Sequence, residues 1–280
     1  GNMTPEFYAD QYRRYATFCK NYPNAPLLKI ASGASDGNYQ WTETLMKNIP
    51  HWMMWGISMH YYTLPTGHWN DKGSATSFDE KQYFSTIASC LRMDEFIKGH
   101  SAVMDRYDPE KKVALVVDEW GGWTNVEPGT NPAFLFQQNS MRDAIVAGST
   151  LNIFNNHCDR VKMANLAQTV NVLQSLVLTR GNQMLLTPTY YVFDLYQVHQ
   201  DAEWLPLQLK TPDYVFDGKK IPAVNASASK DSTGAIHITL VNVDADQSVT
   251  IETGFEGLNR KTVSGRILTS SSFTDINSFD

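Results

Sequence analysis

Five consecutive apolar residues, Val113-Ala114-Leu115-Val116-Val117, stand between Lys111-Lys112 and the acidic pair Asp118-Glu119. A strand that is apolar at every position has no face to offer water, so it belongs inside a parallel sheet covered on both sides. Parallel neighbours cannot be joined by tight turns; they need crossovers of a dozen or more residues, usually helical. This one segment therefore commits the chain around it to an alternation of strands and helices.

The flanking sequence supplies that alternation up to about residue 200. Thr4-Pro5-Glu6 starts a helix, with a capping hydroxyl, a proline at the first helical position and an acid in the first turn. Phe7, Tyr8, Tyr12, Tyr15, Ala16 and Phe18 continue it at helical spacing until Asn21-Tyr22-Pro23. Strands are expected at about 28–32 (the run Leu27 to Ala31), 55–61, 113–119 and 170–178. Helices are expected at about 41–47 and 79–107, from Asn131-Pro132 towards Gly148, around Asp159 to Thr169, and at 190–198. A closed β/α barrel needs eight strands and about 250 residues. The chain has 280 residues, yet only four such strands are in sight. The expectation is α/β: half of a barrel, or a small open sheet, over residues 1–203. From residue 204 the pattern changes to strands alone, at 223–229, 235–242, 249–252 and 264–269, the first two joined by the turn Lys230-Asp231-Ser232-Thr233-Gly234. These predict an all-β sandwich over 204–280, short of its last strands.

Composition removes several classes of function. With 23 Lys and Arg against 29 Asp and Glu, the net charge is −6 and no basic surplus exists to neutralise a nucleic-acid backbone. The basic residues are scattered, which argues against a membrane-surface helix, and no apolar run reaches the ~18–20 residues of a transmembrane helix. The start Gly1-Asn2-Met3-Thr4-Pro5 has neither signal peptide nor initiator Met, so the chain is expected to be a processed or excised piece. Its compartment, periplasmic, secreted or cytoplasmic, is left open. Cys19, Cys90 and Cys158 are distant and odd in number, hence expected as free thiols. The 33 aromatic residues (7 Trp, 13 Tyr, 13 Phe) fit core packing better than they fit a sugar-binding cleft.

In a parallel α/β sheet functional side chains gather at the carboxyl ends of strands. Glu119 ends the apolar strand, where a carboxylate is costly to bury without a purpose. Trp120 and Trp123 beside it suit the apolar face of a sugar ring. A nucleophile and a general acid both remain open as its role, and so does a structural carboxylate paired with Arg142 or Arg160. His60 and Tyr62, two apart on one strand, share a face. They could orient the carboxylate and tune its protonation, although a satisfied buried histidine is an equal reading. A metal held by His60, Asp118 and His157 can be drawn, but no HxH or HExxH spacing supports it, and no metal is expected. GxSxG, GxGxxG and P-loop motifs are absent, so neither a serine nucleophile nor a nucleotide cofactor is expected.

Taken together, Asp118-Glu119-Trp120, His60-Tyr61-Tyr62, Leu151-Asn152-Ile153-Phe154-Asn155-Asn156-His157 and Ala164-Asn165-Leu166-Ala167-Gln168-Thr169-Val170-Asn171-Val172-Leu173 resemble the α-L-arabinofuranosidases of glycoside hydrolase family 51. The resemblance implies a (β/α)8 barrel followed by a C-terminal β-sandwich. It also implies a retaining mechanism acting on terminal α-L-arabinofuranosyl groups of arabinan, arabinoxylan and related oligosaccharides. Glu119 matches the family's nucleophile at the end of the seventh strand. His60 and Tyr62 match the sixth-strand residues that hold it, Gln168 a glutamine lining the sugar pocket, and Trp120 and Trp123 its aromatic surroundings. Gly121-Gly122 stands where the family has an Asn, which implies a different pocket rim. The family's acid/base is a Glu in an Asn-Glu pair, and no such dipeptide occurs here. It is therefore expected upstream of Gly1, with this chain holding strands five to eight. Association, as a homo-oligomer or with the missing half, follows as an expectation, because an open barrel leaves unpaired strand edges.

Overall fold

The computed structural model describes residues 2–256 and 263–279. Its first helix, α1 (Pro5–Ala16), begins as expected: Thr4 Oγ1 accepts the Phe7 N–H at 3.2 Å. There follow β1 (Ile30–Ser35), α2 (Tyr39–Asn48), β2 (Gly56–Thr63), α3 (Glu80–Asp105), β3 (Ala114–Gly122), α4 (Met141–Asn156) and β4 (Val161–Leu166). The four strands form one sheet in the order β1-β2-β3-β4, every pair parallel. This is four consecutive strand–helix units, half of a barrel. Leu45, Ile57, Met59, Ile97, Leu115, Val117 and Phe154 fill the layer between sheet and helices.

Two irregularities shape the site end of this sheet. In β1 the register shifts between Ala31 and Ala34, and a Cβ on Gly33 would stand 1.6 Å from the Ser58 carbonyl oxygen, so only glycine lets β1 approach β2 there. In β3 the register runs Ser58↔Val116 then His60↔Glu119 on one side, and Val117↔Ala164 then Trp120↔Leu166 on the other. Three steps on β3 thus oppose two on each neighbour. That is a bulge at Asp118-Glu119, which re-aims side chains.

The fourth strand is not where the pattern puts it. Residues 161–166, expected as helix, are β4, and the expected strand 170–178 is mostly loop. An edge strand has a neighbour on one side only, and of Val161 to Leu166 only Val161 is fully buried, so β4 lacks the apolar run that marks β3. Asn171 and Leu173 both adopt left-handed backbone angles (φ 58° and 53°), which a strand does not accommodate. Likewise the helix expected from Asn131-Pro132 is there a single 3-10 turn; α4 starts at Met141, behind a capping box of Ser140 and Asp143.

Beyond β4 come a hairpin of β5 (Val177–Arg180) and β6 (Gln183–Leu186), then α5 (Pro188–Tyr196). The tail holds β7 (Glu203–Leu205), a hairpin of β8 (Asp213–Phe216) and β9 (Lys219–Pro222), β10 (Val224–Lys230) and β11 (Ile236–Asn242). It is sheet-rich as expected: β11-β10-β7 is antiparallel, and the 230–234 turn is closed by the Asp231 carboxylate accepting from the Thr233 and Ala235 N–H groups. The expected strands 249–252 and 264–269 are not strands among the described residues, and both stretches are largely exposed. The tail packs on α3 and α4 through Tyr83, Phe84, Ile87, Val146, Tyr214 and Val241, so much of the aromatic excess is packing.

Candidate active site

The bulge brings both acids of Asp118-Glu119 onto His60. Adjacent strand residues ordinarily point to opposite faces; here His60 Nε2 lies 2.9 Å from Asp118 Oδ1 while Nδ1 lies 3.5 Å from Glu119 Oε2. The Tyr62 hydroxyl donates to the same Glu119 oxygen at 2.8 Å. The Asp118 contact pushes the His60 pKa up, partial burial works against it, and the charges of Asp118 and Glu119 add to the rise. Burial, together with the bond to Glu119, pushes the Tyr62 phenol well above its usual range, which keeps it a donor.

Neither arginine weighed as a partner reaches Glu119. Arg142 is fully buried, donating to the Ser74 and Ala75 carbonyls at 3.3 and 3.4 Å, with its guanidinium 3.8 Å from the Phe78 ring centroid. Arg160 binds Asp108 Oδ2 at 2.8 Å, Asp105, and the Val113 carbonyl at 2.9 Å, at the opposite end of β3. Among the described residues no Lys or Arg forms an ion pair with Glu119. A half-exposed carboxylate held by a phenol and an imidazole, with no cation consuming it, is a carboxylate left available to a ligand.

The remaining expected residues divide. Trp123 stands edge-on to Tyr62 with centroids 4.8 Å apart. Trp120 points the other way: it is 0% exposed, stacked on Phe193 at 6.1 Å and edge-on to Phe154 at 5.2 Å. It is a core residue between sheet and helices, not part of a sugar-facing wall, because it is Glu119's neighbour on a strand. Gln168 lies past the carboxyl end of β4, tied by its backbone N–H to the Val172 carbonyl at 3.1 Å; its exposed side chain makes no hydrogen bond to Glu119. The two glycines after Trp120 are buried rather than on a rim. Gly121 has φ 129°, a Cβ on it would stand 3.1 Å from Leu166 Cδ1, and Gly122 donates its N–H to the buried Gln174 at 2.6 Å. His157 pairs with Asp94 at 2.7 Å at the far end of α4, so the three residues drawn as metal ligands are not brought together, and no group of three such side chains gathers among the described residues.

Two residues have a place at the site that the sequence reading missed. Asp118, read in the sequence as part of the Asp118-Glu119-Trp120 motif and as a drawn metal ligand, lies 2.9 Å from His60 Nε2. Trp69, on the loop after β2, stacks edge-on to Trp123 with centroids 4.9 Å apart. The signal for it was available: an aromatic in a Gly/Ser/Thr-rich loop that directly follows the strand carrying His60 and Tyr62.

Comparison with known proteins places this geometry. Residues 118–280 match the family model of the α-L-arabinofuranosidase C-terminal domain. The whole chain is 51% identical to an intracellular exo-α-L-arabinofuranosidase of Bacteroides ovatus and covers 54% of it. The crystal structure of the family 51 arabinofuranosidase from Xanthomonas axonopodis pv. citri superposes with a TM-score of 0.96 at 52% identity, over 99% of this chain and 56% of that one. A family 51 enzyme of Bifidobacterium longum, at 24% identity and TM-score 0.72, shares the fold. The chain thus spans about half the length of the relatives it matches. A half-barrel with Glu119, His60 and Tyr62 at one strand end, a sheet-rich tail and these likenesses together show that the chain belongs to the family 51 α-L-arabinofuranosidases, over the part that carries their C-terminal domain.

Proposed function

We propose that this chain supplies the nucleophile-bearing part of a retaining α-L-arabinofuranosidase that releases terminal α-L-arabinofuranosyl units from arabinan- and arabinoxylan-type oligosaccharides. The observation that carries the reading is the Glu119 carboxylate: one oxygen faces the Tyr62 hydroxyl at 2.8 Å and His60 at 3.5 Å, and among the described residues no Lys or Arg pairs with it. Glu119 attacks the anomeric carbon as the bond to the leaving oxygen breaks, forming a covalent arabinosyl ester. A second carboxylic acid gives its proton to the leaving oxygen, then takes one from the water that attacks the ester. In retaining enzymes the two carboxyl groups stand about 5–5.5 Å apart. Asp118 is occupied by His60, so the acid/base is assigned to the part of the relatives that this chain does not match. The two proposed units are 1–203, the barrel part, and 204–280, the β domain, with Gln168 and Trp123 at the sugar.

The test joins the chain to that unmatched part of the Bacteroides ovatus relative. The parent chimera should release arabinose from arabino-oligosaccharides, and 1–280 alone should not. Glu119→Ala in the chimera should abolish turnover, and added azide should restore cleavage with an arabinosyl azide as product. Turnover near the parent rate in Glu119→Ala refutes the assignment. Exposed Phe18, Tyr22 and Leu28, which precede β1 in the chain, and Trp52, between α2 and β2, favour a second property, association of 1–280 with itself or with the unmatched part; a clean monomer in light scattering, with and without that part, refutes it.

A further inference from the structure

β3 outruns its neighbour on one side. β4 ends at Leu166, and the chain leaving it gives β3 one more main-chain bond, from the Ala167 N–H to the Trp120 carbonyl at 3.0 Å. Gly121, Gly122 and Thr124 lie beyond that point and are buried, so their main-chain groups need other partners. On the far side the pairing with β2 continues: Gly122 stands opposite Thr63, and the Trp123 N–H donates to the Thr63 carbonyl at 3.0 Å. On the β4 side two side-chain amides take over. Gln174 Oε1 accepts the Gly122 N–H at 2.6 Å. Gln137 Nε2 donates to the Gly122 carbonyl at 3.1 Å, and its Oε1 accepts the Thr124 N–H at 2.9 Å. A carbonyl and the N–H two residues further on are what one residue of a parallel neighbour would bond; the Gln137 amide makes both bonds.

Both glutamines are buried, Gln174 at 0% and Gln137 at 1% exposure. Gln174 Nε2 donates to the Asp143 carbonyl in the first turn of α4 at 2.7 Å and to Thr189 Oγ1 at the start of α5 at 3.1 Å. Gln174 therefore ties the end of β3 to two helices. The glycines make room for it. A Cβ on Gly121 would stand 3.2 Å from Gln174 Oε1, and one on Gly122 would stand 3.3 Å from the same atom and 3.1 Å from Asp143 Oδ1. A buried amide costs free energy unless its hydrogen bonds are made, so two of them on the main chain of one glycine hold that main chain in one place.

That main chain leads to the site. Trp123 sits between the two clamped residues, Gly122 and Thr124, and its ring stands edge-on to Tyr62 at 4.8 Å; the Tyr62 hydroxyl donates to Glu119 at 2.8 Å. We propose that Gln174 and Gln137 are positioning residues for Glu119: in place of a neighbouring strand they hold the end of β3, and through Trp123 and Tyr62 they keep the carboxylate on its phenol. Both are too buried to meet a substrate, and neither bonds to Glu119 among the described residues, so they act through the strand. The inference rests on the reading of Glu119 as nucleophile and goes beyond it.

The test uses the chimera, with 4-nitrophenyl α-L-arabinofuranoside as substrate. Methionine matches glutamine in length without its polar atoms, so Gln174→Met and Gln137→Met remove the bonds and little volume. In each, kcat should fall about tenfold while KM stays within about twofold, as when a reacting group moves by a fraction of an ångström. A lost folded fraction would lower kcat as well, so the deciding measurement is Tyr62→Phe in each background. Alone, Tyr62→Phe should cost the chimera about tenfold. Where a glutamine is already gone, Glu119 has left the phenol, and the same change should cost less than about threefold, because residues that act together are not additive. Circular dichroism checks the fold, and either variant suffices for the comparison. A Tyr62→Phe cost that stays near tenfold in the folded variants, kcat at the parent value in both, or loss of the fold in both overturns this inference while leaving the reading of Glu119 standing. Turnover near the parent rate in Glu119→Ala overturns both.

Discussion

Asn152 joins the half-barrel to the tail, and its removal should show how firmly. The residue is 1% exposed on α4. Its Oδ1 accepts from Ser227 Oγ at 2.8 Å and Thr239 Oγ1 at 2.7 Å, and its Nδ2 donates to Asn225 Oδ1 at 2.7 Å. In Asn152→Ala the two hydroxyls keep each other at 2.9 Å, and Asn155 and His199 still reach them. Asn225 Oδ1 is left without its donor. One buried acceptor without a partner costs about 1–3 kcal/mol, and the weakened remainder about 1 more, so the sum is about 2–4 kcal/mol. At about 2–4 °C per kcal/mol for a chain of this size, the melting temperature should fall by roughly 8 °C. Asn156→Ala is the internal control: this exposed residue donates to the Ala226 carbonyl at 2.9 Å, so water replaces what is lost and the cost should stay below about 1 kcal/mol. Urea unfolding of 1–280 measures both, and hydrogen exchange should locate the Asn152→Ala loosening in β10 and β11. If the two variants unfold within about 0.5 kcal/mol of each other, the polar network does not hold the tail and the reasoning fails.

Two further outcomes follow from the site. Tyr62→Phe keeps the ring against Trp123 but removes the donor to Glu119. With water replacing part of a charge-assisted bond, kcat of the chimera should fall about tenfold, and Tyr62→Ala should fall further; a phenylalanine variant at the parent rate contradicts the proposed positioning. His60 binds its proton more tightly in the fold than its ordinary value of 6.5, chiefly because of Asp118. The stability this lends is therefore complete below that value and fades as pH rises through the folded value, so Asp118→Asn should cost more stability at about pH 6 than at about pH 9. An equal cost at both, read by urea unfolding, removes Asp118 as the cause.

The first helix and β3 were legible because their signals are local: a cap with an N1 proline, and a run of apolar residues with charges at both ends. The alignment of His60, Tyr62 and Glu119 was legible too, since period two along β2 and the strand-end rule place all three at one edge. β4 was not, because an edge strand of an open sheet lacks the double burial that marks a strand in sequence, and the bulge that orders the site leaves no trace in residue types. Trp120 shows the cost of reasoning from sequence neighbours alone: beside Glu119 in the chain, it lies across the sheet from it in space. Gln174 shows the reverse, a loop glutamine that fills the space left by two glycines fifty residues away.

The same bulge explains why two acids follow one another at the end of β3. On a regular strand one of them would face the helix layer, where Trp120 now sits, and would be buried without a partner. With one residue added, both reach His60, and the pair divides its work: Asp118 takes Nε2 at 2.9 Å and raises the imidazole's affinity for its proton, while Glu119 keeps the looser 3.5 Å contact with Nδ1 and the Tyr62 hydroxyl. An imidazole at 3.5 Å and a phenol on the same oxygen do not lock both Glu119 oxygens in a bidentate pair, as an arginine would. Of the two adjacent carboxylates, the one in the looser contact is therefore the one proposed to meet an anomeric carbon, and the tighter contact of its neighbour fixes the imidazole between them.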